Sequence, residues 1–287
     1  MHRSSSIIIG SCCWFVLMSS SIGCDNTIEP LAEDAENIFA INGFLDSGAD
    51  TQFVRVSGLR PIILADEPDV SDIRVSTIDS ETATVTEWKD SVVVLDDASI
   101  GHLFFARFRP DSGVEYTFRV ERTGGQRATA TTRIPMSPDV LVNAPQGDSL
   151  TLSQLILLRG LGGPPSDLQM HYRVVEPDID EARDVIIGYG QTGQVSSSGW
   201  QFEVFLKRDK NTILRTFGLL PEDGTVRLKK ISVRLSIPSS EWADIASPQN
   251  LSLAHGFFGS VGRYNISWRL DPVSTGLIGF IDEQSGN

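Results

Sequence analysis

Tyr116-Thr117-Phe118-Arg119-Val120-Glu121 sets Tyr116, Phe118 and Val120 on one side of an extended chain and Thr117, Arg119 and Glu121 on the other. Alternation with period two is the pattern of a half-buried strand. The same pattern continues on both sides. Ile73, Val75 and Thr77 alternate with polar residues, and Thr82, Thr84, Thr86 and Trp88 alternate with Ala83, Val85 and Glu87. Phe104, Ala106 and Phe108 alternate with Phe105, Arg107 and Arg109. Ile38–Ile41 and Phe53–Val56 add two apolar runs, separated by Gly43 and Asp46-Ser47-Gly48, and Gly124-Gly125 marks a hairpin into Ala128–Ile134. About seven short strands at this spacing predict an immunoglobulin-like β-sandwich over residues 38–137.

Pro135-Met136-Ser137-Pro138 reads as a hinge, because two prolines in so short a run cannot continue a central strand. A second β-rich domain is expected over residues 138–287. Its strands are predicted at Leu150–Leu158, Gln169–Val175, Val185–Ile187, Trp200–Lys207, Ile213–Leu219, Lys229–Ile237 and Tyr264–Leu270. One short helix is predicted at Ser239–Ala246, capped by Ser239 or Ser240, with Glu241 in its first turn and Pro248 as its stop. The expected fold class is therefore mainly β.

Residues 1–23 have the layout of a lipoprotein signal peptide: Arg3, the apolar run Ile7–Met18, then Ser21-Ile22-Gly23 before Cys24. The apolar run is too short to span a bilayer, which takes about 20 residues. Cys24 is the expected lipidation site, and several acyl chains on one residue make a stable anchor. Cys12 and Cys13 fall inside the signal, so of 3 cysteines only Cys24 would remain and no internal disulfide is expected. Residues 24–37 read as an acidic tether carrying Glu29, Glu33, Asp34 and Glu36. The net charge of −13 repels nucleic acid and anionic lipid alike, which argues against a nucleic-acid partner.

Several segments, the strand with Val75 and Thr77 among them, together resemble a known family. Phe39-Ala40-Ile41-Asn42-Gly43-Phe44-Leu45 and Val54-Arg55-Val56-Ser57 follow the lipobox and tether. Tyr116–Val120 and Ala130-Thr131-Thr132-Arg133-Ile134-Pro135 come next, and His255-Gly256-Phe257-Phe258-Gly259-Ser260-Val261-Gly262-Arg263-Tyr264 closes the series. This layout resembles the lipoproteins of the domain-of-unknown-function 4249 type. The resemblance implies an outer-membrane lipoprotein and, as a neighbour, a TonB-dependent receptor. It carries no catalytic residues over. Asp25, directly after Cys24, acts in some bacteria as an inner-membrane retention signal and so leaves sorting between inner and outer membrane open; the sequence does not assign the face on which the body is displayed.

Several patterns invite a chemical reading. Gly188-Tyr189-Gly190-Gln191-Thr192-Gly193 fits G-x-G-x-x-G and follows Val185-Ile186-Ile187, with Asp209 beyond it. A dinucleotide site needs a helix opening at the last glycine. The following Ser-rich run to Gly199 leaves no room for one, so a turn between antiparallel strands is expected. Asp178, Asp180 and Glu181 could offer oxygens to Ca²⁺, but the glycine of a calcium loop is missing, so a solvated loop is expected. His102, His171 and His255 have no metal-ligand spacing. Ser260 between Gly259 and Val261 does not match a nucleophile elbow. No cofactor, no metal and no catalytic residue is expected. Trp88 and Trp200, at predicted strand ends, are the candidate ligand contacts, since exposed indoles stack on sugar rings. The expected function is that of a non-enzymatic, lipid-anchored interaction protein of an outer-membrane transport system. A glycan-binding surface lipoprotein is the alternative, and a hydrolase the third reading.

Overall fold

The computed structural model describes residues 38–59, 72–94, 100–148, 150–161, 164–176, 179, 181–190, 193–220, 226–246 and 248–282. The signal peptide, Cys24 and the tether therefore lie outside the described residues. Eight strands come first: β1 (Phe39–Asp46), β2 (Gln52–Gly58), β3 (Ile73–Asp79), β4 (Val85–Glu87), β5 (Lys89–Val94), β6 (Ile100–Ala106), β7 (Glu115–Arg122) and β8 (Arg127–Arg133). One sheet runs β1-β2-β6-β5 and the facing one β4-β3-β7-β8. Lettered in chain order these are A-B-E-D and C′-C-F-G, the strand order of an immunoglobulin-like sandwich. Tyr116, Phe118 and Val120 are buried between the sheets, as their alternation predicts. The Tyr116 hydroxyl accepts the Asp111 backbone N–H at 3.0 Å. This is the tyrosine corner of such folds, tying the start of strand F back to its preceding loop. Gly125, at φ 84°, makes the expected hairpin between β7 and β8.

The second half repeats the plan. Its elements are β9 (Asp139–Val142), β10 (Gln154–Arg159), β11 (Ser166–Val175), β12 (Ala182–Gly188), β13 (Gly193–Ser196), β14 (Gly199–Val204), α1 (Leu206–Thr216), β15 (Val226–Pro238), β16 (Leu251–Ser252), β17 (Ala254–Trp268), α2 (Pro272–Ile278) and β18 (Phe280–Asp282). One sheet is β13-β14-β10-β9, and the other contains β12-β11-β15-β17. Lettered the same way, they are again D-E-B-A and C′-C-F-G, with α1 inserted between E and F. Two expectations change here. The first four residues of the predicted strand Ile213–Leu219 are instead the end of α1, which buries Leu206, Asp209, Lys210, Ile213 and Leu214 along one helical stripe, and the remainder begins at the Phe217 C-cap. The predicted helix Ser239–Ala246 is only a 3-10 turn at Ser240–Asp244. The Ser239 hydroxyl is taken by the Ser260 backbone N–H at 2.9 Å and so caps nothing. α2 supplies a helix where none was predicted: Asp271 accepts the Ser274 N–H, Pro272 opens the first turn, and Gly279 at φ 90° ends it.

β17 joins the two halves. Along its 15 residues, Ala254–Val261 pairs in parallel with β1 and Val261–Trp268 pairs antiparallel with β15. A single nine-stranded sheet results, and it runs from one sandwich into the other. Phe258 of β17 packs into the first core, stacked on Phe118 at 4.9 Å, while Tyr264, Ile266 and Trp268 line the second. Ser260, fully buried at the crossing, receives the Thr132 hydroxyl at 3.0 Å and donates to the Arg133 carbonyl at 2.8 Å. The segment read as a hinge is held by this strand. The Tyr264 hydroxyl donates to the Pro135 carbonyl, and Ser112 bonds both that carbonyl and the Ser137 N–H. Residues 37–287 form one compact unit.

Candidate functional site

The two tryptophans proposed as ligand contacts are core residues. Trp88 is 7% exposed and sits where the chain passes from β4 to β5, that is, from one sheet to the other. Its Nε1–H donates to Thr77 Oγ1 at 2.7 Å, and its ring meets Phe118 edge-on at 5.2 Å. Trp200 is 3% exposed and lies across Gly193, where a Cβ would come within 1.8 Å of the indole. Neither ring offers a face to a ligand. Sequence placed them at strand ends correctly, but position along a strand does not tell whether the side chain points in or out. Trp242 and Trp268 are half-buried; their indole N–H groups donate to the Ser260 carbonyl at 2.9 Å and Gln154 Oε1 at 3.1 Å.

The G-x-G-x-x-G segment leaves β12 at Gly188 and enters β13 at Gly193, so its last glycine opens a strand and not a helix. It also crosses between sheets, because β12 pairs with β11 and β13 with β14. Tyr189 and Asp209 do meet, but inside the core. Asp209 Oδ2 accepts the Tyr172 hydroxyl at 2.7 Å and the Tyr189 hydroxyl at 2.6 Å. Arg208 reaches Oδ1 at 3.1 Å and stacks over the Tyr189 ring at 4.8 Å. Burial, and then the Asp209 charge, raise both tyrosines well above their ordinary range. They are fixed donors, suited to holding α1 against β11 and not to proton transfer at neutral pH.

Asp178 and Asp180 lie outside the described residues. Among the described residues no group of three His, Cys, Asp or Glu side chains could hold a metal. His102 Nδ1 pairs with Asp90 at 2.7 Å, and His171 faces Asp184 at 3.8 Å.

The arrangement with most potential for binding is one that sequence reading did not find. A cleft of about 510 Å³ opens beside the β1–β17 junction, with walls from both sandwiches. One wall is the turn after β1, held rigid by Gln52, whose side chain accepts the Asp46 N–H at 2.8 Å and donates to the Asp46 and Ala49 carbonyls. Arg263 of β17 closes onto this turn: its Nε–H contacts Asp46 Oδ1 and Oδ2 at 2.9 and 2.8 Å, and its backbone N–H donates to Ser47 Oγ at 2.8 Å. Arg109 reaches Asp50 at 2.8 Å, but both side chains are mostly exposed, so that pair is weak. The opposite wall is a rung of Gln169, Arg234 and Asn265 across β11, β15 and β17. Asp167, at φ 52°, accepts the Gln169 amide at 2.7 Å. Arg234 is exposed and has no hydrogen-bond or ion-pair partner among the described residues. No motif spacing could have revealed this site, since its residues run from Asp46 to Asn265.

Comparison with known proteins gives a family. Residues 25–234 match the family described as Domain of unknown function (DUF4249). The chain belongs to this family. Membership carries no assigned activity. No curated protein matches the chain. Among solved structures, a two-fibronectin-type-III segment from chicken tenascin is similar at 14% identity and a TM-score of 0.21, over 81% of this chain and 96% of that one. A pullulanase from Anoxybacillus sp. LM18-11, complexed with maltotriose, is similar at 10% identity and a TM-score of 0.20, over 69% of this chain and 24% of that one. The chain thus spans about a quarter of the pullulanase.

Proposed function

We propose that this DUF4249 chain is a non-catalytic lipoprotein of the bacterial envelope, anchored through Cys24, whose two fused sandwiches act as an interaction body for an outer-membrane transport system. The observation that carries the reading is the continuity of β17 through both sandwiches. It makes residues 37–287 one compact unit, suited to presenting a fixed surface at the end of an acidic tether. The resemblance noted from sequence directs the partner toward a TonB-dependent receptor. The glycan alternative loses its first support, because Trp88 and Trp200 are buried.

Crosslinking in intact cells, followed by mass spectrometry of the adducts, tests the partnership. Recovery of one outer-membrane receptor, in amounts that fall when Cys24→Ser releases the body to soluble fractions, is the expected result. A chain that is never crosslinked to an outer-membrane protein argues against the partnership. A Cys24→Ser chain that stays in the membrane argues against the anchor.

A further inference from the structure

We infer that the cleft between the two sandwiches is a binding site for a small organic oxyanion, one bearing carboxylate or phosphate groups. Arg109, Arg234 and Arg263 converge on it, against the acidic side chains Asp46 and Asp167. Both acids are already engaged, Asp46 by Arg263 and the Gly48 N–H, and Asp167 by Gln169. Three guanidinium groups thus face two carboxylates in the lining, with Asp50 paired to Arg109 at its edge, in a chain whose net charge is −13. An acidic chain has no general reason to gather guanidinium groups around a cleft. A planar guanidinium offers paired N–H donors that match a carboxylate or phosphate edge.

Two further observations agree. The basic surface continues beyond the cleft along the same sheet face. Arg173 pairs in register with Lys230 as Gln169 does with Arg234, and His171 lies among them, facing Asp184 at 3.8 Å; burial lowers its pKa most, Asp184 is the strongest single charge and raises it, and Arg234, Lys230 and Arg173 lower it. The cleft volume of about 510 Å³ also lies within the range of small-molecule sites, roughly 300–1,000 Å³, and exceeds what a bare inorganic ion needs. Arg263 is fixed by Asp46 and forms a preset wall, leaving Arg234 as the guanidinium free to engage a ligand. The inference does not depend on the anchor or on the proposed transport partner.

The test is calorimetric titration of the full chain in detergent with citrate and, separately, with inorganic phosphate, at constant ionic strength. Saturable one-site binding of at least one probe is expected. Citrate binding alone identifies the carboxylate arm and phosphate alone the phosphate arm. Arg234→Gln should weaken binding by about tenfold or more, as loss of a charge-assisted contact does. Arg127→Gln, which makes the same charge change on the remote β7–β8 hairpin, should leave binding unchanged. If Arg234→Gln fails to fold, Arg109→Gln provides the same readout. Absence of saturable binding for both probes overturns the inference. So does binding that survives the cleft substitutions, or that Arg127→Gln weakens equally.

Discussion

Asp209→Ala probes how α1 is held to the second sandwich. Asp209 is fully buried, and its Oδ2 is the acceptor for two hydroxyls, from Tyr172 at 2.7 Å and Tyr189 at 2.6 Å. Tyr172 is itself fully buried and Tyr189 nearly so, so neither hydroxyl can readily turn to bulk water once the carboxylate is gone. Each buried donor left without a partner costs about 1–3 kcal/mol, so the pair amounts to about 2–6 kcal/mol. Arg208 adds little, because its side chain is 53% exposed and can rehydrate. Asp209→Asn keeps the shape and one acceptor oxygen and should cost less than Asp209→Ala. Urea unfolding of the full chain, followed by far-ultraviolet circular dichroism, gives these differences. A double-mutant cycle with Tyr172→Phe sharpens the test. With that hydroxyl removed, the cost of Asp209→Ala should fall by about 1–3 kcal/mol. An Asp209→Ala cost under about 1 kcal/mol, or no coupling to Tyr172, would refute the reasoning.

Two more outcomes follow from the structure. Gly256→Ala should disrupt the β1–β17 pairing, because Gly256 sits at φ +108° and a Cβ there would lie 2.2 Å from the Ile41 carbonyl oxygen. A loss of about 2 kcal/mol or more is expected, seen as a fall in Tm of about 4–8 °C, whereas Gly124→Ala, with open space around it, should be nearly neutral. His171 has a folded pKa below its ordinary 6.5: burial lowers it most, and the Arg234, Lys230 and Arg173 charges add to this against the raising pull of Asp184. Between the two pKa values the unfolded chain binds more protons, so this contribution is complete above 6.5 and is lost as pH falls through the folded value. His171→Gln should therefore flatten the fall in stability measured by urea unfolding on going from about pH 7 to pH 5; an unchanged slope would show that His171 is not depressed.

The strand grammar around Tyr116 was legible because the first sandwich buries its alternating residues without exception in β7: Tyr116, Phe118 and Val120 all face the core. The hairpin at Gly124-Gly125 was legible because its turn chemistry is local. α1 was not. Its buried stripe contains Asp209 and Lys210, and a pattern that assumes charge is outside reads the apolar remainder, Ile213-Leu214, as a short strand. α2 carried readable signals in Asp271-Pro272 and Gly279, but over only 7 residues they were outweighed by the surrounding strand pattern. β17 hid its length for another reason. Gly256, Gly259 and Gly262 interrupt the alternation, and each glycine has a neighbour where its side chain would stand: the Ile41 carbonyl, the Phe257 ring and the Tyr264 ring. The cleft was illegible in principle, since a rung joining Gln169, Arg234 and Asn265 exists only once register is set.

The fused sheet also accounts for where a binding site can form. In a tandem pair linked only through residues 135–138, strand A of the first sandwich and strand G of the second would each present an unpaired edge, a site for unwanted pairing. Here each edge covers the other, through the parallel register from Phe39↔Ala254 to Asp46↔Val261. That register ends where β1 turns, and the turn then meets Arg263 two residues further along β17. The charged wall at Asp46 and the rung at Arg234 are thus set by the same strand, one at its crossing point and the other on its partner β15. A ligand entering between them would find guanidinium groups already placed, and so would lose less of its binding free energy to ordering the protein. Gly256 and Arg234 should accordingly separate in experiment. A change at Gly256 disturbs the pairing that sets both walls and should weaken stability and binding together. A change at Arg234, exposed at the cleft surface, should weaken binding with stability unchanged.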